Sequence, residues 1–67
     1  MAKMTVAKAK KSIIAQIKKC GGLFENVGQK ELRALQDQNE YHFWDDKCDE
    51  LNTWIESLDY NTVQQYI

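Results

Sequence analysis

Apolar residues along this chain recur at intervals of three and four positions rather than two, a helical and not a strand period. At 100° per residue Val6, Ala9, Ile13, Ile17 and Cys20 fall on one stripe with Ile14 at its edge, and Lys8, Lys11, Lys18 and Lys19 fall opposite. Thr5 is a suitable N-cap for a helix from about Val6 to Cys20, and Gly21-Gly22 a strong stop, because glycine takes the left-handed C-cap conformation without penalty. Leu23 to Gly28 reads as a short helix or an irregular turn, and Gln29 to Gln38 as a helix with Leu32 and Leu35 inward. Asn39 then caps a long helix reaching about Leu58. Its expected inward residues Tyr41, Trp44, Cys48, Leu51, Ile55 and Leu58 step by alternating threes and fours. At 1.5 Å per residue such a helix is about 30 Å long. Phe43 and Trp54 lie on one flank of its stripe, and Asp59 or Asn61 can cap a last short helix holding Val63, Tyr66 and Ile67.

These periods predict an all-α fold, a small bundle of three to four helices with one long central helix. It forms a single domain over residues 1–67 in which residues 1–4 are expected to be unordered. The 67 residues leave no room for a second core, while 43% hydrophobic and 28% charged residues, with no proline, are the composition of a chain that folds. A core of this size contributes only about 3–5 kcal/mol net, and no disulfide framework or zinc motif adds to it. Cys20 and Cys48 are expected to be reduced and buried. The longest apolar run near the N-terminus, Ile13-Ile14-Ala15, is too short for a signal-peptide core or a membrane helix, so the expected location is cytoplasmic, with no membrane partner.

The net charge of −1 conceals a division along the chain. Met1 to Arg33 carries eight cations against Glu25 and Glu31, a net of +6, and Ala34 to Ile67 carries Lys47 against eight carboxylates, a net of −7. Such asymmetry points to a basic face for nucleic acid and an acidic face for a cationic partner; the competing expectation is that the halves pack together and neutralise each other. Lys8, Lys11, Lys18 and Lys19 are the candidate nucleic-acid contacts. They suit phosphates and carry no base-reading side chain, so non-specific DNA backbone contact is the most they support. Asp45, Asp46, Asp49, Glu50 and Glu56, with Asn52 in the same ridge, are the candidate partner-binding residues, flanked by Phe43 and Trp54 as aromatic anchors. The bland alternatives are solvated helix faces and core packing. His42 and Cys48 lie on different helix faces with no second ligand pair, so no metal, no cofactor and no catalytic residue is expected, and the chain reads as non-enzymatic.

Taken with the helices, several segments resemble the small nucleoid-associated Hha/YmoA family, partners of the H-NS transcriptional silencer. Ile14-Ala15-Gln16-Ile17-Lys18-Lys19-Cys20 is similar to that family's first-helix pattern of two aliphatics three apart, two basic residues and a cysteine. Phe24-Glu25-Asn26-Val27 resembles its second helix, Leu35 through Glu40 its following loop, and Thr62-Val63-Gln64-Gln65-Tyr66-Ile67 its aromatic-containing terminal helix. Phe43-Trp44, Leu51 and Trp54 fall where its longest helix keeps aromatic and aliphatic positions. The resemblance implies four helices, an acidic surface on the long helix that binds the H-NS oligomerisation domain, and Lys18 and Lys19 facing DNA. The family's Ala-Ala-Asp-His-Arg stretch is absent. Cys48 stands at the position of its binding aspartate, a role that would pass to Asp45, Asp46 or Asp49.

Two functions of different class follow as expectations. One is a regulatory module, monomer or weak dimer, that docks its acidic helix on an H-NS-like oligomerisation domain or another basic nucleic-acid-binding protein and touches DNA through its lysines. The other is a small phage- or plasmid-encoded inhibitor whose acidic helix mimics DNA against a host defence or nucleic-acid-handling complex.

Overall fold

Four helices, three of them started by a side-chain cap, make up the computed structural model, which describes residues 3–67. Helix α1 spans Val6–Cys20, the longest of the four; Thr5 Oγ1 accepts the Lys8 N–H at 3.1 Å, and Gly21, at φ 80°, closes the other end by donating its N–H to the Ile17 carbonyl at 2.8 Å. Lys18 and Lys19 in its last turn complement the negative end of the helix dipole. Helix α2 is Gln29–Asp37, α3 is Asp46–Glu56 and α4 is Tyr60–Gln64, with a single 3-10 turn at Glu40–His42 between α2 and α3. Leu23 to Gly28 is irregular, which takes the turn of the two expectations for that segment.

Ala9, Ile13 and Ile17 from α1, Leu32 and Leu35 from α2, and Cys48, Leu51 and Ile55 from α3 form the core, closed below by Leu58 and by Val63 of α4. Helix α3 packs on both α1 and α2, which also pack on each other, so it is central in position although α1 is longer. The expectation of unordered residues 1–4 falls in part on Met1 and Ala2, outside the described residues. Met4, by contrast, packs against the core, exchanges backbone hydrogen bonds with the Gln38 amide and so ties the N-terminus to the end of α2.

The expected helix from Asn39 to Leu58 is corrected to the 11 residues of α3, about 16 Å. Its apparent first turns are not helical. Tyr41 and His42 take φ of 58° and 56°, and Tyr41, expected inward, is 88% exposed. Trp44, also expected inward, is exposed. Two short polar side chains account for the change by offering the backbone local alternatives to the helix. Asn39 Nδ2 donates to the Phe43 carbonyl at 2.6 Å instead of Asn39 capping a helix, and Asp45 Oδ1 accepts the Cys48 N–H at 2.9 Å and starts one. Asp46 and Asp49 then sit in the first turn, where the helix dipole favours carboxylates. Of the terminal-helix candidates, Asp59 is the cap, accepting the Thr62 N–H at 2.8 Å.

The cysteine expectation is corrected by half: both thiols are free, Cys48 is buried, and Cys20, at the C-terminal end of the α1 stripe beyond the reach of the core, is exposed. Burial raises the Cys48 thiol above its ordinary value, which keeps it protonated.

Candidate functional site

The fold turns the lysines and the carboxylates of the sequence into two separate faces. Lys8, Lys11, Lys18 and Lys19 are all exposed on α1 within an arc of about 100°, opposite the Ala9, Ile13 and Ile17 stripe. The Lys8 ammonium folds back to the Lys3 carbonyl at 3.3 Å; the other three ammonium groups make no hydrogen bond among the described residues. On α3, Asp46, Asp49, Glu50 and Glu56 are exposed within an arc of about 120° shared with Thr53, opposite Cys48, Leu51 and Ile55. Because α1 and α3 turn their apolar stripes toward a common core, both charged faces point away from it. Among the described residues the one close contact between side chains able to carry opposite charge is His42 Nδ1 with Asp37 Oδ1 at 3.0 Å, so no lysine of the α1 face forms an ion pair with a carboxylate of the α3 face.

Three of the sequence-selected residues take different roles. Asp45 sits one residue before the helix, with its carboxylate engaged in the cap and not in the ridge; among the α3 carboxylates, Glu56 accepts a bond from Asn52 at 3.2 Å. Trp54 is partly buried against the core, with the Lys10 ammonium 5.7 Å from its ring centroid, a cation–π contact that joins α1 to α3. Phe43 is exposed, not on a helix flank but in the connection before α3. Lys30 and Arg33, which the sequence reading passed over, are exposed on α2, where with Asn26 and Gln29 they line an open surface depression.

The sequence reading also missed Glu31, a carboxylate on α2 that is only 4% exposed. Gln16 Nε2 donates to its Oε1 at 2.6 Å and Ser12 Oγ at 3.1 Å, so it is satisfied by two neutral donors one helical turn apart on α1. Its only trace in the sequence is that Ser12 and Gln16 share a flank of the apolar stripe. This part-buried triad ties α1 to α2.

The Asp45 and Asp59 carboxylates are held below their ordinary values, chiefly by the backbone N–H of Cys48 and of Thr62 respectively. Folded, each binds its proton less readily than when unfolded. The stability from both caps is therefore fully present above about pH 4 and is lost as pH falls through the lowered folded values. The urea midpoint should drop between pH 6 and pH 3. Asp45→Asn, which keeps a capping oxygen that does not titrate in this range, should shrink that drop; an equal drop in wild type and variant would contradict the assignment.

No group of three or more His, Cys, Asp or Glu side chains among the described residues is placed to hold a metal ion, and no helix among them is long and apolar enough to cross a membrane. No protein-family model matches the chain, and comparison with curated proteins and with solved structures finds no match.

Proposed function

We propose that this chain is a small non-enzymatic binding module that docks a basic protein partner on the acidic face of α3. In this reading it lays the lysine face of α1 along DNA backbone and modulates an H-NS-like nucleoid or transcription complex. The observation that carries the reading is the pair of oppositely charged, exposed and mutually unpaired faces on two helices of one core. Charges left uncompensated at this density raise local potential and speed the encounter of complementary surfaces. The Hha/YmoA-like segments nominate the H-NS oligomerisation domain as the first partner to try.

Asp49, Glu50 and Glu56 are the residues to reverse, because Asp45 caps α3 and its loss would cost the helix about 0.5–2 kcal/mol. Asp49→Lys with Glu50→Lys and Glu56→Lys should weaken partner binding at least 100-fold while far-UV circular dichroism stays helical. Unchanged affinity in a folded variant would overturn the acidic-face assignment. For the lysines, duplex DNA affinity should fall with salt at a log–log slope of about −3 to −4, since each neutralised phosphate contributes about −0.9. Replacing Lys8, Lys11, Lys18 and Lys19 by glutamine should remove most of that slope.

The DNA-mimic inhibitor is kept as a second reading because the arc of α3 that carries Asp46, Asp49, Glu50 and Glu56 contains no cation, Lys47 lying outside it. In that reading the lysine face is passive. An activity that survives the four lysine-to-glutamine replacements and is lost on reversing the α3 carboxylates would favour it.

A further inference from the structure

The connection between α2 and α3 exposes three aromatic rings in four residues: Tyr41 at 88%, Phe43 at 68% and Trp44 at 42%. Among the described residues none buries them, and clustered exposed aromatics on a small fold mark interaction sites more often than chance. Their backbone is not free to collapse onto the core. Gln36 Nε2 donates to the His42 carbonyl at 3.0 Å, Asn39 Nδ2 holds the Phe43 carbonyl, and Asp37 contacts the His42 ring, so the end of α2 and the Asn39 that follows it pin the turn at three points. Tyr41 and His42 are thereby kept at positive φ, a region that bulky side chains rarely adopt. A tyrosine there serves the fold poorly, whereas rigid, pre-ordered rings lose little freedom on binding.

The surrounding charge selects the occupant. From Asp37 to Glu50 six carboxylates stand against Lys47, which repels phosphates and attracts cations. Of the two protein cations, arginine is matched to both features: its planar guanidinium stacks on aromatic faces and pairs with carboxylates through two parallel hydrogen bonds. We propose that the Tyr41–Trp44 turn is an aromatic anchor that receives arginine side chains of a basic protein partner at the edge of the acidic face. The proposal rests on the acidic-face reading and adds the side chain it would recognise.

The test titrates the full chain with an arginine decamer and, separately, a lysine decamer, read by calorimetry at low and moderate salt. The arginine decamer should bind at least tenfold more tightly. Tyr41→Gly combined with Phe43→Ser should lower its affinity to the lysine level and leave lysine binding, which reports the carboxylates alone, unchanged. Tyr41→Gly should also melt at the same temperature as wild type or higher, since glycine adopts the positive φ without strain; a lowered melting temperature would mean that the ring serves the fold and overturns the proposal. Equal affinities for the two decamers, insensitive to the aromatic variants, overturn the anchor while the acidic-face reading stands. Failure of both decamers to bind removes both. Oligothymidine binding that depends on the rings, or a dimer in sedimentation that the double variant dissolves without any arginine preference, would assign the turn to nucleic acid or to a second copy and likewise overturn it.

Discussion

Gly28→Ala should leave little folded protein at 25 °C. Gly28 sits at the start of α2 with φ 78°, where a side chain costs about 1–2 kcal/mol. A Cβ there would lie 2.4 Å from Ile55 Cδ1, 2.8 Å from Ile55 Cγ1 and 3.2 Å from Ile13 Cδ1. These are not mobile surface groups: Ile13 is fully buried, and Ile55 is held between α1 and α2 in the core. Displacing them adds an overpacking cost of about 1–3 kcal/mol. The sum, about 2–5 kcal/mol, is comparable with the whole stability expected of a core this small. Urea unfolding monitored by circular dichroism should show a midpoint near zero denaturant. Gly21→Ala is the control: its φ is also positive but nothing lies within 4 Å of the added methyl, so it should cost only the conformational part. Equal losses at the two positions would show that the packing at Gly28 is not the cause.

Leu51→Ala should be nearly as damaging, at about 3–4 kcal/mol from lost transfer free energy and the cavity left behind. Leu51 is fully buried on the helix that contacts both α1 and α2, so the cavity opens where three helices meet and none can close on it alone. Thermal unfolding should begin below room temperature, whereas Leu23→Ala, at a half-exposed turn position, should shift the transition by no more than a few degrees. A Leu51→Ala variant that melts like wild type would refute the central placing of α3. Together the two substitutions separate overpacking from underpacking around one junction, because Ile55, which Gly28 abuts, lies one turn from Leu51 on the same face.

How far the charged faces were legible depended on whether local pattern and local structure agreed. On α1 they did: Thr5 and Gly21 each act on the adjacent turn and an unbroken period of three and four runs between them, so both the helix and its lysine face followed from the sequence. On α3 the expected ridge keeps Asp49 and Glu56, with Asp46 and Glu50 beside them, because that stretch is helical under either boundary, while Asp45 becomes the cap and Asn52 falls outside the arc. The division failed at Tyr41 and Trp44, whose spacing continues the inward phase of Cys48, Leu51 and Ile55 by coincidence. Periodicity measures spacing and does not sense the hydrogen bonds of Asn39 and Asp45 that stop the helix.

The sequence by itself determined the all-α class, both ends of α1 at Thr5 and Gly21, most of the core and the opposed signs of charge, since each of these is set by side chains acting on their own turn or face. Tertiary structure alone decided four things. The basic and acidic halves remain unpaired; Glu31 is buried against Ser12 and Gln16; Gly28 is the point where α2 meets Ile55 and Ile13; and an aromatic turn faces solvent. The first three depend on the distance between residues far apart in the chain, fixed only when the apolar faces of α1, α2 and α3 close on one another; the fourth follows from the bonds of Gln36, Asn39 and Asp45, which spacing does not reveal.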